Sequence, residues 1–94
     1  MKTAAEYISI SLGNKELLER HSECSCYHCC RTFSASEIED YVTEKSGRKT
    51  ACCPKCWVDA LLPGVVSIEE LEYAKDICFG SKYGYQPEEG GNDD

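Results

Sequence analysis

Cysteine is the residue type with the clearest chemical potential in this chain, which has eight cysteines among 94 residues. Seven of them fall in two short segments, residues 24–30 and 52–56, and the eighth is Cys78. Each segment contains one Cys-x-x-Cys turn, a spacing that presents two thiolates to a single metal ion. Two such pairs, separated by 23 residues, are typical of a tetrahedral zinc site. The sequence therefore predicts one structural Zn²⁺ per chain, held by Cys26, Cys29, Cys53 and Cys56.

The other cysteines need a separate interpretation. Cys30 and Cys52 are next to predicted ligands, so their side chains should point away from the metal and pack as small hydrophobic groups. The same interpretation applies to Cys78. The alternative is a second metal site that uses Cys24, His21, Cys30 or Cys52, although no pair among them has the Cys-x-x-Cys spacing. His28 lies inside the first turn and is expected to face solvent.

The segments around the two pairs predict the elements that position the site. Residues 34–42, SASEIEDYV, predict a short helix, with Ser34 and Glu37 at capping-box spacing. Gly47 predicts a turn before an extended run into the second pair. A C-terminal amphipathic helix follows between Ser67 and Gly80, with an apolar stripe formed by Ile68, Leu71, Ala74 and Cys78. The predicted fold class is a small α+β zinc-binding domain, with two zinc-ribbon-like or treble-clef-like knuckles flanking a short helix.

Three regions follow from this pattern. Residues 1–23 are predicted to form an N-terminal arm, in which Ile8, Ile10 and Leu12 alternate with serines as in a strand laid against the core. Residues 24–80 are predicted to form the zinc-finger domain with its C-terminal helix. Residues 81–94 are rich in glycine and acidic residues, and are predicted to be a disordered acidic tail.

Composition indicates where such a protein would work. The net charge is −7, and no apolar run approaches the length of a membrane span. The first twenty residues have no sustained apolar stretch, because Glu6 and Asn14 interrupt it, so no secretory signal is predicted. In a reducing compartment, paired cysteines bind metal more often than they form disulfides. We therefore expect a cytoplasmic protein that does not bind membranes.

Two motifs resemble those of a known family. The sequences CYHCCRTFSASEIEDYV and TACCPKCWVDALLPG are similar to short bacterial cytoplasmic proteins that have a C-x-H-C-x-R-x-F knuckle, a short helix and a T-A-x-C-P-x-C-x-x-D knuckle. The layout is that of zinc-ribbon or treble-clef fingers. The resemblance covers residues 26–64 and implies zinc on the same four cysteines, with no implied reaction. This chain has Trp57 where such knuckles usually have glycine, and a bulky residue there is expected to alter the turn or cover the metal.

A binding module is the function that the sequence favours. Four protein ligands leave no open position on zinc, which is typical of structural sites. Aromatic residues often anchor interfaces, and the candidates here are Trp57, Tyr73, Tyr83 and Tyr85. Trp57 and Tyr73 are nevertheless expected to fill the thin core of a small domain. The expected partner is another protein.

Three other functions agree less well with the sequence. Lys45, Arg48 and Lys49 could contact nucleic-acid phosphates, but the acidic net charge opposes binding, and these side chains are expected to screen the negative metal centre. Surplus cysteines beside the zinc could form a redox switch. A zinc deaminase is a poor match because the proline follows Cys53 instead of preceding it, so no enzymatic activity is predicted.

Overall fold

Two antiparallel sheets and three α-helices make up the part of the chain that the computed structural model describes, residues 1–80. The helices are α1 (Ala4–Ser11), α2 (Lys15–Leu18) and α3 (Ile68–Phe79), with a 3-10 turn at Ala35–Glu37. The strands are β1 (Glu23–Cys26), β2 (Arg31–Ser34), β3 (Tyr41–Thr43), β4 (Lys49–Ala51) and β5 (Leu61–Pro63). The predicted α+β class is confirmed. The predicted tail, with Tyr83 and Tyr85, lies outside the described residues.

The larger sheet has three strands in the order β2-β1-β5, all antiparallel. The central strand β1 places Cys26 opposite Arg31 on one side and opposite Leu61 on the other. The turn between β1 and β2 contains the first cysteine pair. The smaller sheet is the β3–β4 hairpin, with Tyr41 opposite Ala51, and β4 leads directly into the second pair. Each Cys-x-x-Cys turn is thus attached to the end of a strand.

The prediction of a strand at Ile8, Ile10 and Leu12 is wrong, because residues 4–11 form helix α1. A capping box starts this helix: the Glu6 amide donates to Thr3 Oγ1 at 3.2 Å, and the Thr3 amide donates to Glu6 Oε1 at 2.8 Å. These bonds satisfy amides that would otherwise lack partners at the helix start. The alternation of isoleucine and serine favours a strand locally. The capping box and the burial of Tyr7 and Ser11 stabilise the helix more strongly.

The first 23 residues are built into the same core as the cysteine-rich region. Tyr7 is fully buried, its ring centroid lies 5.8 Å from that of Tyr27, and its hydroxyl donates to Glu70 Oε2 at 2.8 Å. Leu18 of α2 is also buried. The N-terminal segment therefore contributes buried side chains to the core of the domain.

The predicted helix between the two pairs is reduced to a single 3-10 turn. Its capping box is present, since Ser34 Oγ accepts a bond from Ser36 and the Glu37 carboxylate accepts one from the Ser34 amide at 3.1 Å. The chain then becomes extended, and Tyr41 and Val42 pair with β4. Tyrosine and valine favour strands, and the Gly47 turn at φ +89° lets the hairpin close.

Helix α3 confirms the predicted C-terminal helix and its boundaries. Ser67 caps its start by accepting a bond from the Glu70 amide at 3.2 Å, and Gly80 ends it with φ +62°. Leu71 and Ala74 of the predicted stripe are buried. Ile68 is half exposed, so the stripe begins one turn later than predicted.

Candidate metal centre

The four predicted ligand sulfurs come together at one point. The Sγ atoms of Cys26, Cys29, Cys53 and Cys56 all lie within 4.8 Å of one another. Two of the distances, Cys26 to Cys56 and Cys29 to Cys53, are 3.7 Å. Zn–S bonds of about 2.3 Å give a tetrahedron with edges of about 3.8 Å. The cluster therefore has the dimensions of a four-thiolate metal site, and no disulfide joins these cysteines.

Backbone pairing between the two knuckles brings the cysteine pairs together. The Tyr27 amide donates to the Ala60 carbonyl at 3.0 Å, which extends the β1–β5 ladder past Cys26. On the other side, the Cys53 amide donates to the Val58 carbonyl at 3.0 Å and closes the second turn. The first bond fixes the first pair relative to the segment that follows the second pair, and the second bond fixes the shape of the second turn.

The two turns repeat the same hydrogen-bond pattern. The His28 amide donates to Cys26 Sγ, and the Lys55 amide donates to Cys53 Sγ, both at 3.3 Å. Each donor is two residues after the first cysteine of its pair. Amide donors of this kind stabilise negative charge on sulfur, which favours the thiolate form that binds metal. The two Cys-x-x-Cys turns therefore present their sulfurs through the same backbone geometry.

Two non-glycine residues with positive φ occupy equivalent places after these turns. Cys30 follows Cys29 and has φ +59°, and Trp57 follows Cys56 and has φ +70°. The Trp57 amide donates to the Cys53 carbonyl at 2.8 Å. The expectation that tryptophan would alter the turn is therefore wrong: Trp57 adopts the left-handed conformation that glycine would supply without strain.

Burial divides the ligands into an inner and an outer pair. Cys26 and Cys53 are fully buried, whereas Cys29 and Cys56 are half-buried. Burial raises the pKa of the Cys26 thiol strongly and that of Cys56 to about 11. The pKa of Cys53 is lowered, because the amides of Lys55 and Cys56 and the neighbouring thiols outweigh its burial. A metal that binds here must displace protons from Cys26 and Cys56.

The remaining cysteines do not assemble a second site among residues 1–80, where the four-cysteine cluster is the only group of potential metal ligands that meet. Cys24 is fully buried in the core, as expected of a small hydrophobic residue. Cys30, Cys52 and Cys78 are half-buried. Burial raises the pKa of each of these four thiols, which keeps them protonated and less nucleophilic.

The two histidines differ in their surroundings. His21 is exposed. His28, which was expected to face solvent, is half-buried instead, with its ring 4.9 Å from that of Phe79 in an edge-on arrangement. Its Nδ1 atom is buried and has no hydrogen-bond partner among the described residues. The ring thus joins the first knuckle to the last turn of α3 through packing.

Several of the basic side chains close to the cluster in sequence have partners elsewhere in the protein, and their screening of the metal centre stays a prediction. Lys55 pairs with Glu37 at 2.9 Å, Arg48 donates to the Gly13 carbonyl at 3.0 Å, and Lys49 donates to Thr43 Oγ1 at 3.1 Å. These bonds connect the hairpin and the second turn to neighbouring segments of the chain.

A buried asparagine that the sequence did not reveal supports the second knuckle. Asn14 is 1% exposed, and its Nδ2 donates to the Leu61 carbonyl at 3.0 Å. Its Oδ1 accepts from the Ala51 amide at 3.2 Å. Asn14 therefore links β4, which precedes Cys53, to β5, which follows Cys56. The Gly13-Asn14 pair in the sequence predicts a turn, and nothing in it indicates that the asparagine side chain is buried.

The aromatic contact candidates are more exposed than predicted. The expectation that Trp57 and Tyr73 fill the core is wrong, since Trp57 is 65% exposed and Tyr73 is 41% exposed. Tyr73 makes only an edge contact with Tyr7, with centroids 6.5 Å apart. Trp57 adjoins the metal centre in sequence without being buried in it.

No protein-family model, curated protein or solved structure matches this chain. The resemblance to bacterial zinc-finger proteins therefore stays an expectation from the motifs. None of the helices in residues 1–80 has the length and apolar character needed to cross a bilayer.

Proposed function

We propose that this protein is a structural-zinc binding module that mediates an interaction with another protein. The observation that carries the proposal is the four-cysteine cluster, whose sulfur atoms all lie within 4.8 Å of one another, close to the dimensions of a tetrahedral four-thiolate site. Thiolates are soft ligands, and tetrahedral four-sulfur sites favour Zn²⁺ among the common divalent ions. One Zn²⁺ per chain, in a domain of the zinc-ribbon or treble-clef type, is the form that we propose.

A structural role for the metal follows from its complete set of protein ligands. Catalytic zinc keeps one position open for water or substrate, whereas four cysteines fill a tetrahedral site. The site also links elements far apart in sequence, because Cys26 ends β1 and Cys53 follows β4. We therefore propose that zinc stabilises the fold and has no catalytic task.

A protein partner agrees better with the surface than a nucleic acid does. The chain has a net charge of −7. Arg48, Lys49 and Lys55, the basic residues nearest the second pair in sequence, already have partners within the protein. Binding to a phosphate backbone would have to overcome both features. The exposed indole of Trp57 is instead typical of a residue that anchors protein contacts.

Native mass spectrometry tests the metal assignment. We expect one zinc ion per chain, and we expect its loss in Cys53→Ser. Cys78→Ser is the matched control, because Cys78 is a half-buried cysteine that lies outside the cluster. The Cys78→Ser variant should keep the ion. Two ions per chain would show that further cysteines are ligands, and a metal-free protein with disulfides would favour the redox switch.

Circular dichroism tests the structural role. Structural zinc supplies roughly 10 kcal/mol or more to the folding of small modules, so excess chelator should unfold the domain. A spectrum that stays folded without metal would contradict the proposed role.

A further inference from the structure

Trp57 combines two features that are unfavourable for the isolated domain. Its side chain is 65% exposed, although tryptophan is among the residues that gain most from burial. Its backbone has φ +70°, a conformation in which any side chain beyond glycine is strained. Neither feature is required by the metal centre, because glycine would satisfy the same turn. The combination points to a role for the ring outside the isolated fold.

The chain segment on either side of Trp57 carries negative charge when the metal centre is loaded. Cys56, which directly precedes it, and Cys29 are the half-buried ligands, so their sulfurs form the outer side of the metal centre. Four thiolates and one divalent ion carry a formal charge of −2. Asp59 is exposed two residues further on. The nearby ammonium of Lys55 is already paired with Glu37 at 2.9 Å.

We propose that Trp57 is the anchor of a protein-binding surface, and that its partner is a peptide segment with an apolar pocket or side chain for the ring and arginine or lysine beside it. The basic group would lie against the outer thiolates and Asp59, where charges are complementary. Aromatic anchors surrounded by such polar contacts dominate binding energy at protein interfaces. This inference rests on the proposed function and specifies the chemistry of its partner.

A nucleic acid is the less favourable occupant of the same surface. An exposed tryptophan can stack on a base, but stacking would bring phosphates next to the outer thiolates and Asp59. Proteins that bind single strands combine aromatic platforms with a positively charged groove. The residues around Trp57 provide the opposite charge.

The test selects peptides from a random library displayed on phage, using the zinc-loaded protein as target. We expect the selected peptides to combine an aromatic or aliphatic residue with arginine or lysine. Binding of one such peptide, labelled with fluorescein, is then measured by anisotropy. Trp57→Gly should weaken it by about tenfold or more, as expected when an anchor is removed. Val65→Ser is the matched control: Val65 is 69% exposed and lies outside the knuckle, so binding should be unchanged.

Two further arms use the same protein. Replacing the basic residues of the peptide by glutamate should abolish binding, and higher salt should weaken it. The single tryptophan of the chain provides an independent readout, because its emission should shift to shorter wavelength when the peptide covers it.

Several outcomes would overturn the inference. These are the absence of any enriched peptide, enrichment of acidic peptides, equal binding by Trp57→Gly, tighter binding of a mixed-sequence RNA or DNA oligonucleotide, or a Trp57-dependent dimer in sedimentation. Each can occur while the protein still binds one zinc ion in native mass spectrometry. The failure of this inference is therefore distinguishable from the failure of the metal assignment.

Discussion

At the scale of single residues, the positions that follow each cysteine pair have the strongest conformational demand. Cys30 and Trp57 both have positive φ, although only glycine adopts such angles freely. The demand arises because each turn must direct two sulfurs to one metal ion. The sequence alone shows that Trp57 occupies a position where glycine is usual. It does not show whether the backbone keeps the left-handed conformation or adopts a different turn.

Trp57→Gly and Trp57→Ala form a matched pair that isolates this strain. Both remove the exposed ring, but only glycine relieves the positive φ of +70°. The left-handed conformation costs roughly 1–2 kcal/mol, and glycine loses about 0.5–1 kcal/mol more conformational entropy on folding. We expect the glycine variant to be more stable than the alanine variant by about 1 kcal/mol in urea unfolding at saturating zinc. Equal stabilities would show that the knuckle tolerates the side chain without strain.

Metal binding should release protons from the cysteines with raised pKa. Cys26 has a strongly raised pKa and Cys56 has one of about 11, so both thiols are protonated in the metal-free protein at neutral pH. Zinc requires the thiolates, so its affinity should rise with pH over the range below these pKa values and fall as the solution becomes more acidic. Calorimetry in buffers with different protonation enthalpies should detect proton release. Cys56→Ser is the control and should release fewer protons; binding independent of pH would contradict the prediction.

At the scale of elements, each cysteine pair depends on a strand that precedes it. The sequence correctly predicted the turns, the capping box at Ser34 and the boundaries of α3, because capping residues and glycines act locally. It failed for α1, although Thr3 and Glu6 have the same capping-box spacing that was recognised at Ser34. The alternation of Ile8, Ile10 and Leu12 with serines favours a strand locally, and the capping box at Thr3 outweighs it. Strands β1, β2 and β5 were not predicted because pairing between distant segments leaves little trace in a single sequence.

The buried Asn14 provides the clearest test of how elements support the second pair. Replacement by alanine would leave the Leu61 carbonyl and the Ala51 amide without partners inside the core. Each unsatisfied buried group costs about 1–3 kcal/mol, so we expect Asn14→Ala to lower the free energy of unfolding by about 2–4 kcal/mol. Thr43→Ala is the control, since it removes an exposed bond from the same hairpin and should cost little. Zinc-saturated urea unfolding measures both, and similar small losses in the two variants would contradict this role.

At the scale of the whole molecule, the metal centre and the aromatic core are two parts of one structure. Tyr27 lies between Cys26 and Cys29 in sequence, and its ring packs against those of Tyr7 and Phe79, with centroids 5.8 Å away in both cases. The first knuckle is therefore attached to both the N-terminal and the C-terminal helix. The clustering of four cysteines was predictable because the spacing within each pair is local, whereas this aromatic cluster was not, because its members come from distant segments.

Removal of residues 1–23 should prevent folding even when zinc is present. Tyr7 and Leu18 fill the core, and the shortened chain would also lose the bonds made by Asn14. We expect the fragment 24–94 to show little amide dispersion in NMR spectra at saturating zinc, whereas the full chain should be well dispersed. A folded fragment would show that the N-terminal segment is an accessory arm after all.

The contact between α1 and α3 has a consequence for the order in which the molecule forms in the cell. Tyr7 leaves the ribosome well before Glu70, which accepts its hydrogen bond and is 63 residues later in the chain. A nascent chain that already contains both cysteine pairs still lacks α3, so one side of Tyr7 and Tyr27 stays uncovered until α3 has been synthesised. Contacts of such large sequence separation form slowly. The core is therefore completed only once α3 is present, whereas both cysteine pairs are available to a metal ion before that point.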